Sequence, residues 1–301
     1  MDPGIAYSVL AAFVWGIYIF ALKRYFPGYS GAVLTVVVNA FAVVLYLPVT
    51  AVTYDPDAVP SLAELGATGV GIVAGTAALV GVALILFVDA LDAGDVSYVA
   101  PINKLVPVFV LPIEILFLNQ FLTGMQVLGV AVATVAVYVA NYEGGAFLDP
   151  LRRAVRSRPA QLALASAACY AVSDVGKRVA LQELGIPTSV FVPVLFVGAA
   201  LAVLPVAVRD WPGVRGDLPK FAAAGALVAV GEHVTSTAFG LVPASIASPI
   251  VNMQAIVAVV LGGVVLREAR FGTRLAAAVL AVVGVSLIAL GDVAALRALV
   301  G

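Results

Sequence analysis

Long apolar blocks alternate with short polar segments along the whole chain. The blocks are about 18 to 24 residues long, which is the length that a helix needs to cross a hydrocarbon core of about 30 Å. Most connections are short, so helices that follow one another in sequence should be antiparallel neighbours in a bundle. The pattern predicts ten transmembrane helices, over residues 5–22, 32–53, 66–88, 95–118, 124–141, 160–180, 188–208, 219–239, 243–266 and 272–294.

Composition places the chain among integral membrane proteins. Of its 301 residues, 63% are hydrophobic and only 11% are charged, against about 25% charged residues in soluble proteins. The mean hydropathy is +1.12. The formal net charge of -1 gives no basic surface for nucleic acid. The first apolar block lacks the basic start of a signal peptide, so we expect it to be kept as a helix. The predicted fold class is an all-α integral membrane protein.

A basic segment divides the chain almost in half. Residues 142–159 read YEGGAFLDPLRRAVRSRP and carry four arginines. Such a segment can lie along anionic headgroups, or it can be a plain charged linker that fixes the topology. The sequence predicts a first five-helix repeat over 1–141, a basic central linker over 142–159 and a second five-helix repeat over 160–301.

The two halves resemble each other. Aligning Pro101-Ile102 with Pro249-Ile250, an offset of 148 residues, also pairs Ser97 with Ser245 and Gly124 with Gly272. An offset of 154 pairs Lys23-Arg24 with Lys177-Arg178. Each half contributes an odd number of helices, so the second half enters the membrane from the opposite side. Inverted repeats are common in secondary transporters, which bind substrate near the midplane, so the pattern predicts a 5+5 inverted repeat around a central cavity.

Three stretches carry a resemblance to a known family: Trp15-Gly16 in helix 1, the run FVDALDAGDVSYVAPINKLVPVFV, and its partner TAFGLVPASIASPIVNMQAIVAVVLGGVVLREARFG. They resemble EamA-type members of the drug/metabolite transporter superfamily. The resemblance implies a 5+5 inverted repeat with a central cavity that moves small metabolites or amino acids, often outward. The family commonly has a glutamate at the end of helices 4 and 9. The second half keeps it as Glu268, whereas the first half has Gln120.

Polar groups inside the predicted helices are the candidates for a substrate site. Lys104 lies in predicted helix 4, next to Asn103, and a lysine within a spanning helix costs roughly 2.5 to 3.5 kcal/mol on insertion scales. It could attract an anionic substrate group, or pair with Glu232 until substrate or a proton displaces it. The structural alternative is a permanent ion pair of Lys104 with Glu232 or Asp174 that fixes helix packing.

The remaining candidates are Glu232, His233, Asn252, Gln254, Trp15 and Tyr18. The 148-residue offset places Lys104 opposite Asn252, which indicates one shared site. Each residue has a packing alternative, because buried amides join membrane helices and aromatic residues line their ends. His233 is the only histidine, so a metal site is not expected. For Asp174, an ion pair with Lys177 at a helix end is a sufficient explanation.

Two prolines stand at matching places in the halves. Pro101 and Pro249 each deprive the carbonyl four residues earlier of its helical donor. Helix interruptions at corresponding places in two halves indicate a binding site, although proline can also simply kink a membrane helix.

Basic residues predict the orientation. The loops after helices 1, 3, 5, 7 and 9 carry 12 Lys and Arg residues, and the opposite side carries 3. The positive-inside rule then places both termini outside, whereas the family resemblance implies cytoplasmic termini.

The sequence as a whole predicts a secondary active transporter in the cell membrane. It would export a small polar metabolite, such as an amino acid, by alternating access, with proton coupling as an option. The alternative is a membrane-embedded receptor or enzyme without transport. Neither a metalloprotease H-E-x-x-H motif nor a phosphate-binding loop occurs, so we expect no enzyme activity and no cofactor. The expected partners are a small-molecule substrate and the lipid bilayer, with protons as an option.

Overall fold

Ten α-helices form the described part of the chain. A computed structural model describes residues 3–106, 108–109, 123–140, 156–209, 211–241 and 250–300. These residues contain no strand, and the all-α prediction is confirmed. The helices are α1 (Pro3–Tyr25), α2 (Gly31–Thr53), α3 (Leu62–Ala93), α4 (Val96–Asn103), α5 (Gly124–Ala140), α6 (Arg158–Arg178), α7 (Thr188–Ala207), α8 (Leu218–Leu241), α9 (Gln254–Val265) and α10 (Phe271–Val300). Gln120, Ser245, Pro249 and most of the 142–159 segment lie outside the described residues.

Serine caps define two of the helix starts. The Ser30 hydroxyl accepts a hydrogen bond from the Val33 amide at the start of α2. Ser61 and Glu64 form a reciprocal capping box at the start of α3. Such caps satisfy amides that have no partner in the first turn, so they fix where a helix begins.

Several helices are long and apolar enough to cross a membrane. Within the described residues these are α1, α2, α3 and α7, and shorter apolar helices cover Gly124–Ala136, Ile250–Val265 and Phe271–Leu287. α6 and α8 differ because charged residues lie inside them: Asp174 and Lys177 in α6, and Glu232 in α8. The chain is an integral membrane protein.

Helix packing repeats itself across the two halves. α1 packs on α8 as α6 packs on α3, α2 packs on α8 as α7 packs on α3, and α1 packs on α9 as α6 packs on α4. Each of these pairs therefore consists of two equivalent contacts. Replacing every helix by its equivalent in the other half, five places earlier or later in the chain, converts one contact into the other. The equivalent helices α2 and α7, α4 and α9, and α5 and α10 also contact each other directly. The two halves thus meet over most of their length.

Small residues allow these close contacts. A Cβ atom added at Gly284 of α10 would lie 2.7 Å from the backbone nitrogen of Ala133 in α5. At Gly176 of α6, an added Cβ would overlap the Thr76 hydroxyl of α3. Small residues at such crossings let membrane helices approach backbone to backbone.

Predicted helices 4 (95–118) and 9 (243–266) are each interrupted, as the two prolines indicated, but in the first half the break comes after Pro101, which lies inside α4. α4 ends at Asn103, and α9 begins at Gln254 after a turn at Met253. The 148-residue offset that aligns the halves places Leu105 on Met253, so both breaks occur at matching positions.

Candidate functional site

A buried ion pair joins α6 to α8. Lys177 Nζ donates to Glu232 Oε1 at 3.1 Å, and Glu232 is only 6% exposed. The prediction that Lys104 is the partner of Glu232 is therefore wrong. The partner depends on how the helices are rotated, and α6 turns Lys177 towards α8 within the same half.

Lys104 caps the C-terminus of α4 and is half-buried. Its ammonium group lies 5.5 Å from the centroid of the Tyr170 ring of α6, which is a cation–π contact. Within the described ranges, Lys104 forms no ion pair with a carboxylate. Its charge is therefore only partly compensated by the protein.

Asp174 lies one turn of α6 from Tyr170 and is exposed. It interacts electrostatically with Lys104, Lys177 and Glu232, which come from three helices. Lys177 is bound to Glu232, so the predicted Asp174–Lys177 ion pair is wrong. Among the described residues, Asp174 has neither a hydrogen bond nor an ion pair. Charged side chains from α4, α6 and α8 thus meet around Asp174, and such charges inside an apolar bundle usually mark a substrate or ion pathway.

His233 is held by a tyrosine from the other half. The Tyr46 hydroxyl of α2 lies 3.0 Å from His233 Nδ1, and Tyr46 packs edge-on against Phe196 of α7. Tyr46 is almost fully buried. The contact joins α2, α7 and α8, and it fixes one ring nitrogen of His233.

Trp15 and Tyr18 bring α1 to the site. Trp15 Nε1 donates to Thr235 Oγ1 of α8 at 2.9 Å, and the indole lies directly over Gly231. The Tyr18 ring contacts Trp15 edge-on at 5.8 Å. The Tyr18 hydroxyl is buried and has no hydrogen-bond partner in the described structure.

Asn103 has a structural role in this conformation. Its Nδ2 donates to the Ser166 hydroxyl of α6 at 2.9 Å, and Ser166 donates to the Ala83 carbonyl of α3 at 2.7 Å. This chain ties α4, α6 and α3 together beside Lys104. Across the repeat, Gln254 is buried, and Asn252 is half-buried and interacts with other residues.

The sequence predictions missed Lys177 as the partner of Glu232. A signal was available in the repeat, because Lys177 pairs with Lys23 at the 154-residue offset. Lys23 Nζ donates to the carbonyls of Leu91 and Gly94 at the end of α3. The first helix of each half therefore reaches the third helix of its own half through a lysine. Asp174 was recognised as a charge inside an apolar block but was given only a structural explanation. Tyr46 and Tyr170 carried no comparable signal.

Glu268 positions α4 from the other half. Its two carboxylate oxygens accept hydrogen bonds from the amides of Val96 and Ser97, at 3.0 and 2.9 Å. These amides are free donors of the first turn of α4, where a negative charge is favourable. Gly262 leaves room for the carboxylate, since an added Cβ would lie 2.8 Å from it. The helix that ends at Lys104 is thus anchored by the α9–α10 connection.

Comparisons with known proteins agree with this architecture. A solved structure titled "Crystal structure of protein" has a TM-score of 0.62 at 16% sequence identity, covering 95% of this chain and 96% of that chain. At this low sequence identity, the structural similarity establishes the fold but not the function. The search of curated proteins found no match. The model of the EamA-like transporter family matches residues 2–142 and again residues 158–290, so two repeats are recognised. The chain belongs to the EamA-like transporter family.

Proposed function

We propose that this membrane transporter is a secondary active exporter of a small polar metabolite, such as an amino acid, in the cell membrane. The observation that carries the proposal is Asp174, an exposed carboxylate among the charges of Lys104, Lys177 and Glu232. An apolar bundle has no structural need for four ionisable groups at one place, and such groups usually mark a substrate or ion pathway.

Alternating access follows from the paired helix contacts. In the proposal, the five-helix units 1–141 and 160–301 rock against each other, and the linker 142–159 connects them. The main contacts of α1, α2, α6 and α7 between the halves have equivalents made by the corresponding helices. A rocking motion can loosen one member of such a pair of contacts while it tightens the other, so the cavity would open to one side of the membrane at a time.

Lys104, Glu232, Asn103, His233, Asn252, Gln254, Trp15 and Tyr18 remain the proposed substrate-binding or coupling residues, and Lys177 joins them. We assign the coupling role to Glu232. Protonation of its carboxylate would remove the charge that holds Lys177, so the ion pair would open. An ion pair that opens on protonation is a local charge change of the kind that can bias a two-state bundle.

Counterflow in proteoliposomes tests the function. Vesicles loaded with unlabelled amino acids, sugars, nucleotides or organic cations are diluted into the matching labelled compound. A carrier accumulates label by exchange, whereas a receptor only binds it and an enzyme converts it. The Glu232→Gln variant should lose coupling to a pH gradient, and Glu183→Gln, at an exposed position, should behave like the wild type. Exchange by no compound class would overturn the proposal.

A further inference from the structure

We infer that Glu268 is a releasable latch between the two halves. In the conformation described it holds the start of α4, and when α4 moves away it changes partner to Arg274 of its own half. The inference rests on the proposed rocking motion, and it names the contact that opens at the end of the bundle where α9 leads into α10.

The closed latch consists of two hydrogen bonds across the halves. The amides of Val96 and Ser97 donate to the two carboxylate oxygens of Glu268 at 3.0 and 2.9 Å. Both amides belong to the first turn of α4, where no helical carbonyl is available to accept them. A movement of α4 away from the α9–α10 connection therefore has to break both bonds.

Arg274 is a second partner that Glu268 does not use in this conformation. Its Nε and Nη1 atoms are buried and have no hydrogen-bond partner in the described structure. Arg274 interacts electrostatically with Glu268, yet the two form no ion pair among the described residues. A guanidinium binds a carboxylate through two parallel hydrogen bonds, so Arg274 can receive Glu268 once the carboxylate leaves α4.

The start of α4 likewise has a spare partner in Asp95. An aspartate at the N-cap usually accepts a hydrogen bond from an amide of the first turn, but the Asp95 side chain makes no such bond. The Ser97 amide, one of its usual donors, is bound to Glu268 instead. After release, Asp95 can bind this amide while Arg274 binds Glu268, so neither is left as a costly unpaired group.

Tyr98 couples the two events. The guanidinium of Arg274 lies 4.3 Å from the centroid of the Tyr98 ring, which is a cation–π contact. Tyr98 is part of α4, so this contact ends when α4 moves. Arg274 and Glu268 therefore lose their α4 partners in the same movement and become available to each other.

The backbone on both sides of Glu268 is strained. Arg267 and Arg270 have φ values of 55° and 60°, in the left-handed region that non-glycine residues rarely adopt. Such residues persist where surrounding contacts hold them, and they cluster in segments that switch.

The repeat indicates that the two charges act together. The 148-residue offset places Glu268 opposite Gln120 and Arg274 opposite Gln126. Both members of the pair are charged in the second half, and both are glutamine in the first. A charged latch is therefore expected at one end of the bundle only.

The test measures how often α4 separates from Glu268 in the purified full-length protein. Cys169→Ala removes the single natural thiol, and Ser97→Cys places a thiol of similar size at a fully buried position of α4. The rate of maleimide labelling then reports the open fraction, and labelling in denaturant corrects for the reactivity of the thiol itself.

Removing either spare partner should slow the labelling, because it destabilises only the open state. Arg274→Gln deprives the released Glu268 of its partner, and Asp95→Ala removes the spare cap. Each should slow labelling by about tenfold, as expected for the loss of one charge-assisted hydrogen bond. Arg209→Gln and Asp57→Ala, at exposed positions, are the matched controls and should change nothing.

A purely structural Arg274 would give the opposite result. If it only held α4 through the Tyr98 ring, Arg274→Gln would loosen α4 and speed up labelling. The slowing should also depend on the carboxylate, so Arg274→Gln should no longer slow labelling in the Glu268→Gln background. Arg274→Lys, which keeps the charge but not the planar fork, should slow it less than Arg274→Gln does.

A distance measurement makes the test independent of the buried thiol. Spin labels at Ala93 and Ala269, two exposed positions on either side of the latch, should show a shorter and a longer separation in the Cys169→Ala background. Arg274→Gln should reduce the population with the longer separation.

The outcomes separate this inference from the proposed function, since neither readout needs a substrate. Unchanged or faster labelling in Arg274→Gln or Asp95→Ala, or a single spin-label separation, would overturn the latch. If the expected pattern is found but no compound is exchanged in counterflow, the latch stands and the transport proposal fails. If exchange occurs without the pattern, the latch alone is wrong.

Discussion

Glu232 shows how a buried carboxylate depends on a partner inside the bundle. It is almost fully buried, and one ion pair, to Lys177, compensates it. Removing one partner of a buried ion pair is far more costly than removing both, because the remaining charge is left without water or a counterion.

Lys177→Met should therefore destabilise the protein strongly. The expected loss is about 3 kcal/mol, at the low end for buried pairs because Lys177 is itself partly exposed. It should appear as a lower midpoint of thermal unfolding in detergent. The double variant Lys177→Met/Glu232→Gln should recover most of the loss, and Arg209→Met, at an exposed position, should cause none. A Lys177→Met protein as stable as the wild type would show that Glu232 does not depend on the pair.

The pKa of a second carboxylate, Asp217, depends on a tyrosine in the loop between α1 and α2. The Tyr29 hydroxyl donates to Asp217 at 2.7 Å and Lys220 lies 2.7 Å away. Hydrogen bonds from Lys220 and Tyr29 lower the pKa of Asp217. A lowered folded-state pKa stabilises the fold above the ordinary pKa of aspartate, about 3.9, and this stabilisation is lost as the pH falls through the lowered value.

Tyr29→Phe removes one of these donors and should raise the pKa of Asp217. The variant should be less stable than the wild type at neutral pH. The difference should shrink as the pH falls through about 4 and vanish below the lowered pKa of Asp217, where the carboxylate is protonated in both proteins. Thermal unfolding between pH 3 and 8 measures this. Tyr54→Phe, at an exposed position, is the control. A difference that stays constant with pH would contradict the role of the hydrogen bond.

Residue identities were easier to predict than residue partners. Polar groups inside apolar blocks identify Lys104, Glu232 and His233 directly, because their burial is costly. The partner of Glu232 depends on helix rotation, which changes by about 100° with each residue and is not fixed by composition. The sequence therefore predicted the charges at the site but not the Lys177–Glu232 pair.

At the scale of helices, small residues decide how closely the halves approach. Gly284 in α10 faces the backbone of α5, and an added Cβ would meet the Ala133 nitrogen at 2.7 Å and the Gly129 carbonyl at 2.9 Å. Backbone atoms cannot turn aside as the end of a side chain can. The crossing therefore tolerates no larger residue without moving a helix.

Gly284→Ala should destabilise the α5–α10 crossing by about 1 to 3 kcal/mol, the usual cost of overpacking. Gly71→Ala in α3, where an added Cβ would meet nothing within 4 Å, should be neutral or stabilising, because alanine favours helix more than glycine does. The two variants are compared by thermal unfolding in detergent. Equal stability of Gly284→Ala and Gly71→Ala would show that α5 and α10 separate without cost.

Helix positions followed from hydrophobicity, whereas the breaks in predicted helices 4 and 9 did not. Apolar length alone gives 95–118 and 243–266 as continuous spans. The prolines indicated interruptions, but Pro101 lies inside α4 and the break comes after it, at Lys104 and Leu105. Local hydrogen bonding therefore decides where the helix stops, and this required the structure.

At the scale of the whole molecule, the contacts of one half are repeated by the other, but the charges are not. Lys23 binds carbonyls at the end of α3, whereas its equivalent Lys177 binds Glu232. The backbone is duplicated, and the ionisable site belongs mainly to helices of the second half, α6 and α8, with Lys104 added from α4.

The orientation of the bundle should follow its basic residues. The side with 12 Lys and Arg residues should face the cytoplasm, and the side with 3, which includes the C-terminus, should face outward. A reporter enzyme that functions only outside the cell should therefore be active when it is fused to the C-terminus. The same reporter inserted in the 142–159 segment should give the opposite result. Activity of a cytoplasmic reporter at the C-terminus would reverse the assignment.

The Trp15–Thr235 hydrogen bond gives the protein an optical probe of its own. Trp15 and Trp211 are its only tryptophans, and Trp211 is exposed in a loop. In a Trp211→Phe variant, all indole emission would come from the contact between α1 and α8. The emission maximum and the quenching of that fluorescence would report whether α1 and α8 stay in contact or separate, without any added label.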